Sequence, residues 1–319
     1  MILSKTPFRV SLFGGSTDYE DYYSQNGSLL IGFTINKYVY ISIRDKPKIL
    51  SQTSTISYSK LETPASLTTI ENPLIRETFK YFNFDQSIEL ISFSDIPSRS
   101  GLGGSSSYCV GLSYLLSNFT KTPYSKKQLA KDAIHIERTI LNEPGGIQDQ
   151  IWASYGGVNS IEIHKNGDFS VKPLPLSTEF SEELKNCITL IYSNGQRESN
   201  NIAKSHEKKD KGGIHDLARI AYSNLLGENI PQIGKLLHLS WLEKSKISPQ
   251  ISTSSVGEII DKAMSLGAYG AKLLGAGGGG FVLVMSDPIV KRKLSETFKD
   301  HILDFDFDYE GVSTIFENK

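Results

Sequence analysis

The sequence predicts an α+β protein built in two lobes. Three observations carry that prediction. The chain has 319 residues, room for two lobes of roughly 150 residues each. Strand and helix patterns follow one another without the regular rhythm of a doubly wound sheet. Past residue 185 the pattern shifts, from strands and hairpins to a polar stretch followed by helices. The lobes are therefore expected over 1–185 and 186–319.

The elements follow in order. Arg9 falls on an apolar strand that Gly14 and Gly15 break. Residues 36–45, NKYVYISIRD, set Val39, Ile41 and Ile43 on one face and Tyr38, Tyr40 and Ser42 on the other. That alternation marks a half-buried strand. IELISFSDI, 88–96, reads as another strand, ended by Pro97. After a glycine-serine loop, Tyr108, Leu112, Leu115, Leu116 and Phe119 recur at helical spacing. A second helix is expected over 126–142, with Leu129, Ala133, Ile136 and Ile140 on one stripe. Residues 156–174 read as a hairpin turning at Asn166-Gly167, and CITLIYSN, 187–194, as a strand. The polar run 198–213 is expected to be exposed or mobile. Helices are expected near 214–227, 230–244 and 255–267, the last stopped by Gly267. A glycine loop then runs into the strand FVLVM.

Composition narrows the function. Apolar residues make up 39% and charged residues 22%, as in globular proteins. A net charge of −1 offers no basic field for nucleic acid or an anionic membrane, so neither is an expected partner. No apolar run nears the roughly 18 residues that span a bilayer. The N-terminus has no charged region before its apolar residues, and a cytoplasmic protein is expected. Cys109 and Cys187 lack metal spacing and are expected to be buried thiols. The six histidines form no HExxH or HxxxH pair.

Three glycine loops and two carboxylates hold the chemistry. In FRVSLFGGSTDYEDYY, a hydroxyl and a carboxylate follow a glycine turn. Asp18 there is either a group for binding sugar hydroxyls or the anchor of an Asx-type turn or helix cap. In PSRSGLGGSSS, 97–107, glycines and serines lie between a strand and a helix. Backbone N–H groups and the positive helix end would converge there on a phosphate, unless the stretch is a plain connecting turn. It lacks the lysine of GxxxxGK[ST] and the second glycine of GxSxG. Its serines could ligate Mg²⁺ on a nucleotide. In KLLGAGGGGF, Gly275, Gly277 and Gly280 satisfy GxGxxG but precede a strand, which excludes a dinucleotide fingerprint. Four successive glycines are costly unless the backbone approaches a ligand or another loop. Glu137 lies beside an apolar helical stripe, where a cation or a nearby arginine must offset its charge. Asp149 follows a glycine turn amid apolar residues, placed to orient or deprotonate a hydroxyl, or to cap a helix.

Taken together these residues resemble the GHMP kinases. FRVSLFGGSTDY is similar to the family's first motif, PSRSGLGGSSS to its second and KLLGAGGGG to its third, in the family's order and over nearly the whole chain. GGIQDQ is similar to the family's GIMDQ segment, and Glu137 stands twelve residues before Asp149, as the metal-binding Glu and catalytic Asp do. The resemblance implies a ribosomal-S5-domain-2-like N-terminal lobe that binds ATP and a ferredoxin-like C-terminal lobe. It implies that Asp149 acts on the attacking hydroxyl, with Arg9 lowering that hydroxyl's pKa or stabilising developing charge. Pro97, Gly101, Leu102, Gly103, Gly104, Ser105 and Ser106 would hold ATP, and Ser105 and Glu137 would hold Mg²⁺. Ser106 stands where the family usually has alanine, and Gly104 replaces a usual serine or threonine, which removes one phosphate contact. Gly14, Gly15, Thr17, Asp18, Gly277 and Gly278 would meet the substrate, with Lys272 to Gly280 shaping the floor of the site.

Within the family, FGGSTD, IERTILNEPGGIQDQ and YSNGQRESNNIA are similar to the heptose 7-phosphate kinase branch. Ile147, Ser193 and Asn194 depart from that branch's pattern. The likeness makes Arg197 the candidate for a sugar phosphate. It implies ATP-dependent phosphorylation of the anomeric hydroxyl of a heptose 7-phosphate, on the way to nucleotide-activated heptose for surface polysaccharide. A homodimer is a possible assembly, and the sequence does not fix the oligomeric state. A fucose or galactose 1-kinase and a non-catalytic sugar or nucleotide sensor are the other readings. Retention of Ser105, Glu137 and Asp149 argues against the sensor.

Overall fold

The computed structural model describes residues 1–46, 49, 53–122, 124–194, 203–204, 206 and 209–318. Among them the N-terminal half forms strands β1 (Ile2–Phe13), β2 (Ser28–Asp45), β3 (Thr55–Ser57), β4 (Leu61–Glu62), β5 (Ile88–Ser94), β6 (Val158–Ile163) and β7 (Phe169–Pro173). Its helices are α1 (Glu20–Asn26), α2 (Pro73–Tyr81), α3 (Gly104–Phe119), α4 (Lys126–Ile134) and α5 (Gln148–Tyr155). The rest comprises α6 (Thr178–Asn186), β8 (Ile188–Tyr192), α7 (Gly212–Leu226), α8 (Ile230–Ser245), α9 (Ser254–Ser265), β9 (Gly270–Leu273), β10 (Phe281–Met285) and α10 (Pro288–Phe298). The short strands β11 (Ile302–Leu303) and β12 (Phe307–Asp308), and then β13 (Ser313–Glu317), finish the chain.

β2 is the spine of the larger sheet. One edge pairs with β1 along its length, while the other takes β6 at residues 28–33, β12 at 34–35 and β5 at 39–45. Val39, Ile41 and Ile43 are buried and Tyr38, Tyr40 and Ser42 half-buried, as the alternation predicts. β1 differs, because Phe8 to Phe13 are buried on both faces. Helices α3 and α5, and also α7 and α8, pack on this strand, so its run is apolar without alternation. The smaller sheet has the order β11-β8-β10-β9 and is antiparallel. One core joins the sheets, from Phe8, Val10 and Leu12 to Leu190 and Leu283.

Three expectations need correction. A division at residue 185 does not separate the sheets, because β12 and β13 return to pair with β2 and β1. The helix expected over 126–142 stops being α-helical at Ile134, and His135–Ile140 form a π-helical turn. The wider turn rotates the stripe: Ile140 is 39% exposed, and Glu137 takes the inward position at 1%. Half of the polar run 198–213 lies outside the described residues, but His206 and Lys211 are each only 1% exposed. Lys211 Nζ bonds Asp21 at 2.8 Å and lies 4.7 Å over the Tyr19 ring, which offsets the cost of burying its charge.

The third glycine loop is dovetailed into the second. Gly280 has φ of +106°, and a Cβ there would lie 2.2 Å from the Ser100 carbonyl oxygen. Phe281 N donates to that same oxygen at 3.1 Å, and Ser193 Oγ donates to Gly280 O at 2.8 Å. The approach of another loop is what the glycine run serves at this point. Gly280→Ala is expected to destabilise the protein by about 2 kcal/mol or more, combining backbone strain with a clash. A denaturant titration checks it.

Candidate active site

A cleft of about 1270 Å³ runs between the second loop, β5, α5 and the third loop. The second loop enters it through glycines in left-handed conformation, Gly101 at φ +85° and Gly103 at φ +83°. Gly103 precedes the first turn of α3, which has neither a side-chain cap nor an acidic residue. The first N–H groups of a sixteen-residue helix are thus left to an anion in the cleft. A Cβ on Gly103 would press on Arg9 Cγ and Asp149 Oδ2, each 3.2 Å away.

Arg9 ties the site together. Its Nε and Nη2 donate to Asp149 Oδ1 and Oδ2 at 2.7 and 2.8 Å. Its Nη1 donates to Gly101 O at 2.6 Å, and its backbone N to Leu102 O at 3.0 Å. This fork fixes the Asp149 carboxylate in plane and orientation. Each carboxylate oxygen keeps a further lone-pair site, so Asp149 can still accept a hydroxyl proton.

Glu137 is delivered from the π-helical turn to the start of α3. Ser105 Oγ donates to Oε1 at 3.0 Å, while Ser106 Oγ and Gln150 Nε2 donate to Oε2 at 2.6 and 2.5 Å. Arg138 Nη2 stands 3.9 Å from Oε2, so hydroxyls and an amide, more than the arginine, accommodate the buried charge. The Gln150 amide oxygen beside this cluster is buried without a hydrogen-bond partner among the described residues. A carboxylate with two hydroxyls facing a phosphate-sized space is an all-oxygen donor set of the kind Mg²⁺ prefers.

Asp18 closes the other side. Its Oδ1 accepts from Ser16 N at 3.0 Å and its Oδ2 from Gln148 N at 3.2 Å. Burial, then the nearby Asp149 charge, pushes its carboxyl above the usual carboxylate range. Gly146 has to lack a side chain, since a Cβ would fall 1.9 Å from Asp18 Oδ2. Asp18 both anchors a turn and lines the cleft, so the two readings of its sequence position coexist.

The structure brings together Arg9, Gly15, Asp18, Pro97, Gly101, Gly103, Gly104, Ser105, Ser106, Glu137 and Asp149 around this cleft. It corrects five other assignments. Thr17 is fully buried, its hydroxyl 2.7 Å from Gly14 O and 2.5 Å from Ser28 Oγ, so it stitches the turn and is withdrawn from any ligand. Gly14 is a turn residue against Leu29, and Leu102 is a core residue. Neither Gly277 nor Gly278 lines the cleft, and Gly278 N donates to Ile251 O at 2.9 Å. Gly275 and Ala276 form that wall instead. Ser106, set apart from Ser105 by the family pattern, shares its grip on Glu137. Arg197 lies outside the described residues.

Several lining residues escaped the sequence reading. Tyr58, Asn72, Leu74, Phe93 and Tyr108 give the cleft an apolar and aromatic region next to the second loop. Gln148 lines it beside Asp149, its amide oxygen buried with no hydrogen-bond partner among the described residues. His206 stacks on Tyr19 at 5.7 Å, with Nδ1 3.0 Å from Ser16 Oγ and Nε2 2.7 Å from Ala276 O. A carbonyl only accepts, so Nε2 carries the proton and the first and third loops are bridged. The polar run around His206 gave no periodic signal, whereas Gln148, adjoining Asp149 in GGIQDQ, was within reach.

A model of the GHMP kinases N terminal domain matches residues 70–157, and one of the GHMP kinases C terminal matches residues 221–300. The D-glycero-alpha-D-manno-heptose 7-phosphate kinase of Campylobacter jejuni is 30% identical over 336 residues, covering 98% of each chain. The chain belongs to the GHMP kinase family. As a GHMP kinase it is a phosphotransferase with an alcohol group as acceptor. It is 23% identical to the galactokinase of Thermotoga petrophila, over 93% of this chain and 94% of that one. It also superposes on the crystal structure of a D-glycero-D-manno-heptose 1-phosphate kinase from Bacteroides thetaiotaomicron, with a TM-score of 0.83, 23% identity and full coverage of both chains. No helix among the described residues is long and apolar enough to cross a membrane.

The Arg9 fork makes a specific demand. Arg9→Lys keeps the charge but holds Asp149 at one point only. It is expected to lower kcat by about 100-fold, in the range of a lost charge-assisted bond in a closed site. Steady-state kinetics at saturating ATP checks this, with the melting temperature as control.

Proposed function

We propose that this protein transfers the γ-phosphoryl group of ATP to the anomeric hydroxyl of a sugar phosphate, a D-glycero-D-manno-heptose 7-phosphate, giving the 1,7-bisphosphate and ADP. The observation that carries the reading is the convergence of Glu137, Ser105 and Ser106 at the uncapped start of α3 with the Arg9–Asp149 fork in one cleft. One corner suits a metal-bound polyphosphate and the other a hydroxyl that must lose a proton. The Campylobacter relative, a D-glycero-alpha-D-manno-heptose 7-phosphate kinase, supports the choice of sugar.

In this reading the triphosphate lies along Gly101 to Ser106, with the base among Tyr58, Phe93 and Tyr108. Ser105, Ser106 and Glu137 would hold Mg²⁺, which neutralises phosphate charge when bound. Asp18 accepts hydrogen bonds from sugar hydroxyls, and the Gln148 amide oxygen offers one more acceptor, since a buried amide oxygen without a donor is costly. Asp149 accepts the proton of the C1 hydroxyl as that oxygen bonds to the γ-phosphorus. The bond from phosphorus to the β–γ bridging oxygen breaks, and ADP leaves with the electron pair. An anomeric hydroxyl is more acidic than a simple alcohol, so a carboxylate base is less mismatched to it. Positioning and charge supply the rest, as phosphoryl transfer requires. Arg197 is proposed to meet the 7-phosphate, on the family likeness alone.

Incubation with ATP and Mg²⁺ against free and 7-phosphorylated heptoses and hexoses, read by phosphorus NMR, tests the substrate. A new anomeric phosphate signal from heptose 7-phosphate alone is expected, and one from galactose instead would replace this reading. Asp149→Asn is expected to bind ATP normally and to lose kcat by about 10²–10⁴-fold, the usual worth of a positioned base. Near-normal turnover in that variant would remove Asp149 from the proton transfer.

A further inference from the structure

Lys272 is a buried cation that the mechanism above leaves unused. It sits on β9, 4% exposed, and lines the cleft together with Arg9, Gly275 and Ala276. Its Nζ donates to Leu12 O at 2.7 Å. Leu12 is three residues along β1 from Arg9. An ammonium has three donors, and that carbonyl is the hydrogen-bond partner recorded for it. Among the described residues Lys272 makes no ion pair. Arg9 is already paired, because Asp149 occupies one edge of its guanidinium and the Gly101 carbonyl takes a further N–H. A cation withdrawn from water and left without an anion is costly, and the cost is recovered when an anion enters.

We propose that Lys272 is the residue that meets a phosphoryl group brought into the cleft, pairing its ammonium with the anionic oxygens. The proposal rests on the kinase reading for which phosphoryl group is transferred, but not for the contact itself. The γ-phosphate of ATP and a phosphate carried by the sugar have the same chemistry, and ligand pairs tell them apart. Other titratable or charged groups at this end of the cleft are Arg9 and Asp149, Asp18 and Tyr19 of the first loop, His206 and Lys244. Burial, with the Arg9 charge adding to it, lowers the Lys272 pKa to about 7. The free protein therefore loses the Lys272 proton as pH rises through neutrality, and an arriving phosphoryl anion restores it.

Calorimetry reads the contact without turnover. Binding of Mg²⁺-ATP and Mg²⁺-ADP, and of heptose 7-phosphate and free heptose, is measured for the unaltered protein and for Lys272→Met at pH 7.5. Two buffers of different ionisation enthalpy report proton uptake. Methionine keeps the length and apolar stem, and Lys272→Arg keeps the charge. Expected is a loss of about 30-fold or more for one phosphorylated ligand of a pair and not for its partner in Lys272→Met, the usual consequence of removing one member of a buried charge pair. Proton uptake with that ligand should vanish in the same variant, and Lys272→Arg should recover part of the affinity. A loss confined to ATP identifies the γ-phosphate, and one confined to heptose 7-phosphate the sugar's phosphate. Equal effects within both pairs, or proton uptake unchanged in Lys272→Met, overturn the proposal. Because binding is the readout, failure of every sugar in the turnover panel would leave this result standing.

Discussion

The bidentate grip of Arg9 on Asp149 is the interaction through which the rest of the site is assembled. Arg9 belongs to a strand buried on both faces and Asp149 to the first turn of α5, while Arg9 Nη1 and its backbone N donate to Gly101 O and Leu102 O of the loop before α3. One side chain thus fixes three segments that are distant in sequence. Arg9 is buried and Asp149 half-buried, so the value of the pair depends on its hydrogen bonds as well as on its charge. Arg9 places three of its five N–H donors on Asp149 and Gly101. Asp149 keeps acceptor capacity toward the cleft, where a substrate hydroxyl can use it.

The glycines act as spacers around that pair. Gly103 lets the helix start approach Arg9 and Asp149, Gly146 lets its loop approach Asp18, and Gly280 lets the third loop touch Ser100. None of these three has to bind a ligand to be indispensable. This is why a glycine-rich stretch reads poorly as a roster of binding residues. In the third loop, Gly275 and Ala276 line the cleft while Gly277 and Gly278 are not among its lining residues. The pattern of four glycines marks the loop without marking which atoms reach the ligand.

Much of the architecture was legible because it follows from local periodicity. The alternation of Val39, Ile41 and Ile43, the helix after the second loop and the hairpin at Asn166-Gly167 each needed only a short window. What was missed needed distance. A helical wheel placed Ile140 inside and Glu137 beside the stripe, and one π-helical turn reversed them. No local rule announces that turn, although an acidic residue beside an apolar stripe was a reason to doubt a regular helix. Thr17 looked like a ligand hydroxyl because its partner, Ser28, lies beyond a whole helix in sequence. His206 was hidden because its partners, Ser16, Tyr19 and Ala276, come from both ends of the chain. The motifs were readable where the family resemblance supplied the three-dimensional context, and Arg197 still rests on that context alone.

The return of the last strands to the first sheet has a consequence for how the protein is made. Ile2 pairs with Glu317, and Asn318 N donates to Met1 O at 3.0 Å. The strand bearing Arg9 therefore waits for the far end of the chain before its outer edge is closed. That edge stays open until residues 313–317 have been made, a condition that invites pairing with other chains. The same adjacency brings the two ends of this sequence within reach of a short peptide link. A circularly permuted chain, reopened at an exposed turn such as the one at Asn166-Gly167, would close that edge at the outset of folding.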